Sequence, residues 1–259
     1  MNGGRWQCID TGDADGASNM AVDGSLARAL AAGTGRPTLR LYRWNPWAIS
    51  LGYNQDAGTL DRARCAADGI DIVRRPTGGR AILHAQELTY SVTMPAERKG
   101  VLQVYNEISA ALVRGLALYG VNASLQKSQP DFAEEYRSPS SIPCFSSSAR
   151  YEIEWEGRKL AGSAQRRFAG EAGDVVLQHG SLLCGPAHAR LAGYLSVADP
   201  DVLERIRRSL QEKTTDLAAV TGIEVDMPRL VDCIRRGFEE AWGIAFAPST
   251  FEGVHAQPA

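Results

Sequence analysis

Apolar residues recur along this chain in two periods, and the switches between them mark helices and strands. Val22, Leu26 and Leu30 return every four positions, which predicts an amphipathic helix over residues 20–32 with Ser18 or Asn19 as its cap. Two strands are expected next, over 38–43 and 48–52, on either side of the turn-forming Asn45-Pro46. A short helix over 60–67 and a strand over 70–73 then lead into a glycine loop. Beyond the loop, residues 81–84 and 88–92 are β-rich, and 101–119 reads as a long helix with Val101, Val104, Tyr105, Ile108 and Leu112 in register. Tyr151, Ile153 and Trp155 alternate with Glu152 and Glu154, so a half-buried strand is expected to turn at Glu156-Gly157 into the next one. Residues 175–183 form another strand. After Pro200 the period is helical: Leu203, Ile206 and Leu210 share one face, and Leu230, Ile234, Phe238 and Trp242 share another that ends at Gly243. Residues 251–259 read as frayed. Strands fill the middle and helices the end, which is an α+β pattern without internal repeats.

At 259 residues and 44% apolar content the chain can bury a proper core, as one large domain or two small ones. No apolar run approaches the ~18 residues of a membrane span. The opening Met1-Asn2-Gly3-Gly4-Arg5-Trp6 lacks the basic and apolar regions of a signal peptide, so a cytoplasmic protein is expected. The five cysteines, at positions 8, 65, 144, 184 and 233, are scattered and contain no CxxC pair. That argues against a disulfide framework and against structural zinc. A formal charge of −2 gives no nucleic-acid signature. Positive charge is local, at Arg74, Arg75 and Arg80 and again at Arg158, Lys159, Arg166 and Arg167, where it could meet an acidic protein or a phosphate.

Two constellations carry chemistry. Cys144 stands in the loop sequence Ser-Ser-Ile-Pro-Cys-Phe-Ser, and Lys159 follows on the expected strand. A free thiol has a pKa of ~8.5, and an ammonium within about 4–6 Å would raise its thiolate fraction, giving a nucleophile and its activator. The plainer alternative is a small buried cysteine and a solvated lysine. The second constellation is Arg74-Arg75-Pro76-Thr77-Gly78-Gly79-Arg80-Ala81-Ile82-Leu83-His84. Paired glycines let backbone amides approach a carboxyl, carbonyl or phosphate oxygen, although a tight turn between strands needs them equally. The loop is neither a Walker loop nor a GxGxxG turn. His84 and Glu87 do not make an HExxH zinc motif, and His84, like His179, is either a buried polar group or a proton carrier.

Taken together, RRPTGGRAILH with ELTYS after it, PCF at 143–145, GRKLAGSAQRR at 157–167 and LQHGS at 177–181 resemble the biotin/lipoate protein ligase family. The earlier Asn19-Met20-Ala21-Val22-Asp23, RLYRW and SLGYNQ occur in the same order there. The nearest branch looks like the cysteine-dependent octanoyltransferases of lipoate synthesis. The resemblance implies a mixed or antiparallel central sheet flanked by helices, like that of class II synthetases. It implies a catalytic domain over residues 15–195, with a helical extension over 200–246 packed on it. It also implies transfer of octanoyl from octanoyl-acyl carrier protein, through a thioester on Cys144 with Lys159 as partner, to a lysine of a 2-oxoacid dehydrogenase lipoyl domain or of glycine cleavage H protein. Arg75, Gly78, Gly79, Arg80, His84, Gly162 and Ser163 are the expected substrate-binding residues. No cofactor, metal, nucleic acid or membrane is implied.

An ATP-dependent lipoate or octanoate ligase, a lipoyl-domain amidotransferase and a non-catalytic acyl-binding module are the alternatives. Arg80, where the ligases carry a third glycine, and Pro143-Cys144-Phe145, where they carry an asparagine-containing segment, favour a transferase, as does a chain that looks too short for their accessory domain. Leu83, Leu88 and Tyr90 are candidate walls for the acyl chain, and Arg74, Arg158, Arg166 and Arg167 a candidate docking rim.

Overall fold

The computed structural model describes residues 6–125, 152–171 and 173–247. In chain order its strands are β1 (Gln7–Ala14), β2 (Thr38–Trp44), β3 (Ala48–Leu51), β4 (Asp71–Arg74), β5 (Ile82–His84), β6 (Glu87–Pro95), β7 (Ser124–Leu125), β8 (Ile153–Trp155), β9 (Arg158–Phe168) and β10 (Val175–Leu183). Its α-helices are α1 (Gly16–Ala31), α2 (Arg62–Ala67), α3 (Val101–Tyr119), α4 (Pro200–Lys213), α5 (Leu217–Thr221) and α6 (Met227–Trp242). Seven strands form the main sheet in the order β1-β2-β6-β10-β9-β8-β7. Only β1 and β2 run parallel; every other adjacent pair in that sheet is antiparallel. The expected mixed sheet flanked by helices is therefore present. A second, small sheet of order β4-β3-β5 is an addition that the strand signals did not resolve.

Strand β6 sets the layering. Its side chains alternate, with Leu88, Tyr90, Val92 and Met94 on one face and Glu87, Thr89, Ser91 and Thr93 on the other. The apolar face joins Leu39 and Leu41 of β2 and is closed by Val104, Ile108, Leu112 and Leu116 of α3 and Leu230, Ile234 and Phe238 of α6. The polar face is equally buried, because α1 and the small sheet cover it. A second apolar cluster, built from Ile49, Leu51, Ile82 and Leu83 with Leu191, Ile206 and Leu210, anchors the small sheet to α4.

Helix α1 departs from the expected pattern. It begins at Gly16 with Asp15 as N-cap, whose carboxylate accepts from the Ser18 amide, rather than at Ser18 or Asn19. Asn19 is instead turned inward and donates to the carbonyls of Ala14 and Arg43. The face that packs is Asn19, Asp23 and Ala27, while Val22, Leu26 and Leu30 are only half-buried. The reason is the partner: the polar side of the main sheet takes a polar helix face. By contrast α3 spans the residues expected of it, although Val101 at its start is exposed.

Helices α3 and α6 touch backbone to backbone. A Cβ placed on Gly237 would lie 2.3 Å from the Gly115 amide nitrogen and 2.5 Å from its Cα, so this crossing requires glycine.

Candidate active site

The polar face of the main sheet and the small sheet enclose a narrow cleft. Arg75, His84, Gly162 and Ser163, all named from the sequence, line it together with Met20, Tyr42, Trp44, Ser50, Ile82, Thr89, Ala164, His179, Gly180 and Ser181. Register brings the last group together. Gly162 lies opposite Ser181, Ser163 opposite Gly180 and Ala164 opposite His179, so the AGSA segment of β9 and the HGS segment of β10 form one floor.

The glycine loop is held by Arg75, which is almost fully buried. Its guanidinium donates to the Gly78 carbonyl from Nε and Nη2 (3.1 and 2.9 Å), to the Arg80 carbonyl (2.7 Å), and through Nη1 to the carbonyl and hydroxyl of Ser50 (both 3.0 Å). Gly78, Gly79 and Arg80 are thus tied to the cleft wall through Arg75 without lining it among the described residues. Gly79 adopts φ +92°, and its carbonyl passes so close to Gly52 that a Cβ there would sit 2.0 Å away. Arg74 braces the outside, donating to the carbonyls of Gly52, Tyr53 and Gln55.

Two buried networks fix the remaining polar groups. In the first, Asp23 accepts from Arg40 (2.8 Å), Tyr42 (3.0 Å), Ser91 (2.7 Å) and His179 Nδ1 (3.0 Å). Burial by itself would raise the Asp23 pKa, but the His179 hydrogen bond and the Arg40 charge outweigh it and hold the carboxyl at about 2. Burial keeps His179 neutral, with its pKa below the usual histidine range despite Asp23. A neutral ring that donates from Nδ1 must accept at Nε2, which matches the Thr77 hydroxyl at 2.6 Å. Asp23 therefore positions the glycine loop through His179 and Thr77.

In the second network His84 stacks on Trp44 (4.0 Å between centroids, 9° between planes). Its Nε2 meets Ser50 Oγ at 2.7 Å, and its Nδ1 meets Glu87 Oε1 at 2.8 Å. The same Glu87 oxygen accepts from Thr89 (2.5 Å) and Ser181 (2.7 Å), and Trp44 Nε1 donates to Thr89. Burial would raise the Glu87 pKa, but His84 beside it, through its charge whenever it is protonated and through its hydrogen bond, together with the Thr89 and Ser181 hydroxyls, holds it below the ordinary glutamate value.

Because most of these polar groups satisfy one another, the cleft presents mainly carbon to its empty space. Met20, Tyr42, Trp44 and Ile82 are its apolar walls. Leu88 and Tyr90 lie on the opposite face of the main sheet, within the α3 core, and Leu83 belongs to the small-sheet cluster. These three expected acyl-chain walls do not line the cleft, because strand alternation turns them away from it.

Lys159 is buried on β9, three residues before Gly162, and its ammonium pairs with the carboxylate of Glu152. It is not among the described lining residues. Cys144 lies outside the described residues. The four described cysteines are free thiols, and burial raises the pKa of each, Cys8 and Cys184 to about 12.

The expected basic rim is divided. Arg166 donates to the Pro76 carbonyl and sits over the Tyr53 ring, close to Arg74, whereas Arg167 points to the other side of β9 and donates to the Lys99 carbonyl. Arg158 is eight residues from Arg166, about 26 Å along the strand. Among the described residues no helix is long and apolar enough to cross a membrane, and no cluster of His, Cys, Asp and Glu could hold a metal.

The layered architecture and the motif-bearing floor find a counterpart among known proteins. Residues 15–239 match the family model for the lipoyl protein ligase A/B catalytic domain. The chain belongs to this family. It is 40% identical to octanoyltransferase LipM of Kyrpidia tusciae over 94% of this chain and 89% of the relative. It is 39% identical to octanoyltransferase LipM of Symbiobacterium thermophilum, over 94% and 88%. Among solved structures, the bipartite lipoate protein ligase of Thermoplasma acidophilum superposes with a TM-score of 0.75 at 22% identity, covering 96% of this chain and 87% of that one. Lipoate-protein ligase A bound with ATP superposes with a TM-score of 0.71, also at 22% identity, over 96% and 89%. At such identity the two structures establish the fold of this family member.

Sequence reasoning did not single out Ser50, Glu87, Glu152 or the Asp23–Arg40 pair as site residues. A legible signal existed for two of them. Asp23 falls among apolar residues of a helix, and Glu87 opens a strand whose polar positions alternate with Leu88, Tyr90 and Val92.

Proposed function

We propose that this chain is an octanoyltransferase of lipoate biosynthesis, an acyltransferase that moves octanoyl from octanoyl-acyl carrier protein through a Cys144 thioester to a lysine of a lipoyl domain or of glycine cleavage H protein. The observation that carries this reading is near-full-length identity of about two residues in five to octanoyltransferases, with the shared fold placing the glycine-loop, AGSA and HGS motifs around one cleft. The cleft supports it physically. An alkyl chain gains roughly 0.8 kcal/mol per buried methylene, so burying octanoyl against Met20, Trp44 and Ile82 is worth on the order of 5 kcal/mol before ordering costs. The raised thiols of the four described cysteines leave Cys144 as the fitting nucleophile.

In the first half-reaction the Cys144 thiolate attacks the thioester carbonyl and expels the carrier's thiolate, which takes up a proton. Exchanging one thioester for another is nearly balanced in energy, so ATP is not required. In the second, the acceptor amine attacks, the C–S bond breaks and an amide forms. A lysine with pKa ~10.4 is mostly protonated at pH 7, which leaves about 4–5 kcal/mol for the site to offset.

Intact-mass measurement after incubation with octanoyl-acyl carrier protein, without ATP, tests the reading directly. A hydroxylamine-labile octanoyl adduct is expected on the wild type and absent from Cys144→Ala. No adduct, with octanoylation of a lipoyl domain that needs ATP and free octanoate, would instead make the protein a ligase. For Lys159, the pH dependence of Cys144 alkylation should move to higher pH in Lys159→Ala; an unchanged profile rules out thiolate stabilisation by that ammonium.

A further inference from the structure

The buried line Glu87–His84–Ser50 has a donor and acceptor order that suits proton transfer. Ionised Glu87 only accepts, so the His84 Nδ1 that faces it at 2.8 Å carries hydrogen. A neutral ring then accepts at Nε2 from the Ser50 hydroxyl, 2.7 Å away. Ser50 Oγ also accepts from Arg75 Nη1 and lines the cleft. The line therefore ends, at the cleft, in an oxygen whose own hydrogen already points to a base. Among the described residues Glu87 Oε2 is buried without a hydrogen-bond partner, so the charge on that oxygen has only the ring beside Oε1 to answer it. A positive charge arriving on His84 is what such a group stabilises.

We propose that Glu87 is a positioning residue that makes the Ser50–His84 pair the proton acceptor for the incoming lysine. The ammonium gives a proton to Ser50 Oγ as Ser50 passes its own to His84 Nε2, and the resulting imidazolium faces Glu87. Of the two protons the ammonium loses on the way to the amide, the second goes to the sulfur that departs as the C–S bond breaks. Among the described residues the other charged or titratable groups around His84 and Glu87 include Arg75 from the loop, His179 from β10 and Tyr42 from β2, with Asp23 of α1 beyond them. Arg75 opposes charge on His84, which is why a buried anion on the far side of the ring is required. Neutral His179 adds no charge at pH 7.

The inference rests on the transferase reading, and the half-reactions separate the two. Octanoyl-enzyme would be formed from octanoyl-acyl carrier protein and then mixed with a lipoyl domain, and single-turnover transfer followed from pH 6.5 to 10. Glu87→Gln should slow transfer at pH 7 by about 100-fold more than it slows acyl uptake. The gap should close as the pH approaches the ~10.4 of the lysine, where water removes the proton. A loss independent of pH, or equal slowing of uptake and transfer, would mean a structural role and overturn the proposal. Independently of any variant, ¹⁵N NMR of the wild type should show His84 protonated at Nδ1 at neutral pH, and an Nε2–H tautomer would overturn it too. A wild type that never takes up octanoyl sinks the transferase reading itself, and the inference with it.

Discussion

Asp23 concentrates the residue-scale energetics of this protein. Its carboxylate is fully buried, accepts four hydrogen bonds and has a pKa of about 2 against an ordinary 3.8, a difference worth about 2 kcal/mol of stability. Because the folded value is depressed, that stabilisation is present above pH ~4 and is lost as the pH falls towards 2. Asp23→Asn leaves Arg40 buried without its anion, so unfolding stability should drop by about 3–5 kcal/mol in denaturant melts. A drop below 1 kcal/mol would show that Asn19 and Thr11, which also bind the guanidinium, suffice. Which residues line the cleft was only partly legible at this scale. The RRPTGG, GRKLAGS and LQHGS motifs pointed to Arg75, His84, Gly162 and Ser163. The partners that orient them, Ser50, Glu87 and Thr77, come from other strands and loops, and no local pattern announces a contact between residues as far apart as Thr77 and His179.

At the scale of elements, periodicity located most helices and strands, because 3.6- and 2-residue repeats are local properties of the backbone, but it missed the edge strands β1 and β7 and the short helix α5. What it could not assign was the covering of each face. The polar side of β6 and the polar and small residues of α1 carry no apolar signal of burial. In the fold these two meet, and polar side chains satisfy one another there. The α3–α6 crossing has the same character, since Gly115 and Gly237 are unremarkable within their helices. Gly237→Ala should force the two helices apart and lower stability by about 1–3 kcal/mol, with little effect on transferase activity, as the crossing lies across the main sheet from the cleft. Thermal or urea unfolding checks it, and a neutral result would mean that the crossing relaxes freely.

For the whole molecule, buried titratable groups predict a stability dome with distinct limbs. His179 and His188 have pKa values pushed below 6.5 by burial, so the folded state resists protons that the unfolded chain accepts. Their contribution is complete above pH ~6.5 and declines as the pH falls below it; the loss from Asp23 and Glu87 follows below pH ~4. On the alkaline side, Cys8 and Cys184 are raised from 9.0 to about 12, so stability should fall as the pH climbs from 9 towards 12. Urea midpoints from pH 3 to 11 would trace both limbs, and His188→Asn should shrink the decline between pH 6.5 and 5. A midpoint unchanged from pH 8 to 5 would contradict the assignment of neutral buried histidines.

The sequence by itself determined the α+β class, the order of strands and helices, the family and the motifs around which the cleft is built, because periodicity and motif spacing are written along the chain. Only the tertiary structure decided that the polar faces of β6 and α1 are buried against each other, that Arg75 braces the glycine loop, that Lys159 pairs with Glu152, and that His84 lies between Ser50 and Glu87. Each of these depends on strand register and layer stacking between distant segments. Hydrogen-bond partners are chosen by that three-dimensional placement, and the same residue types in the same order would be silent about it.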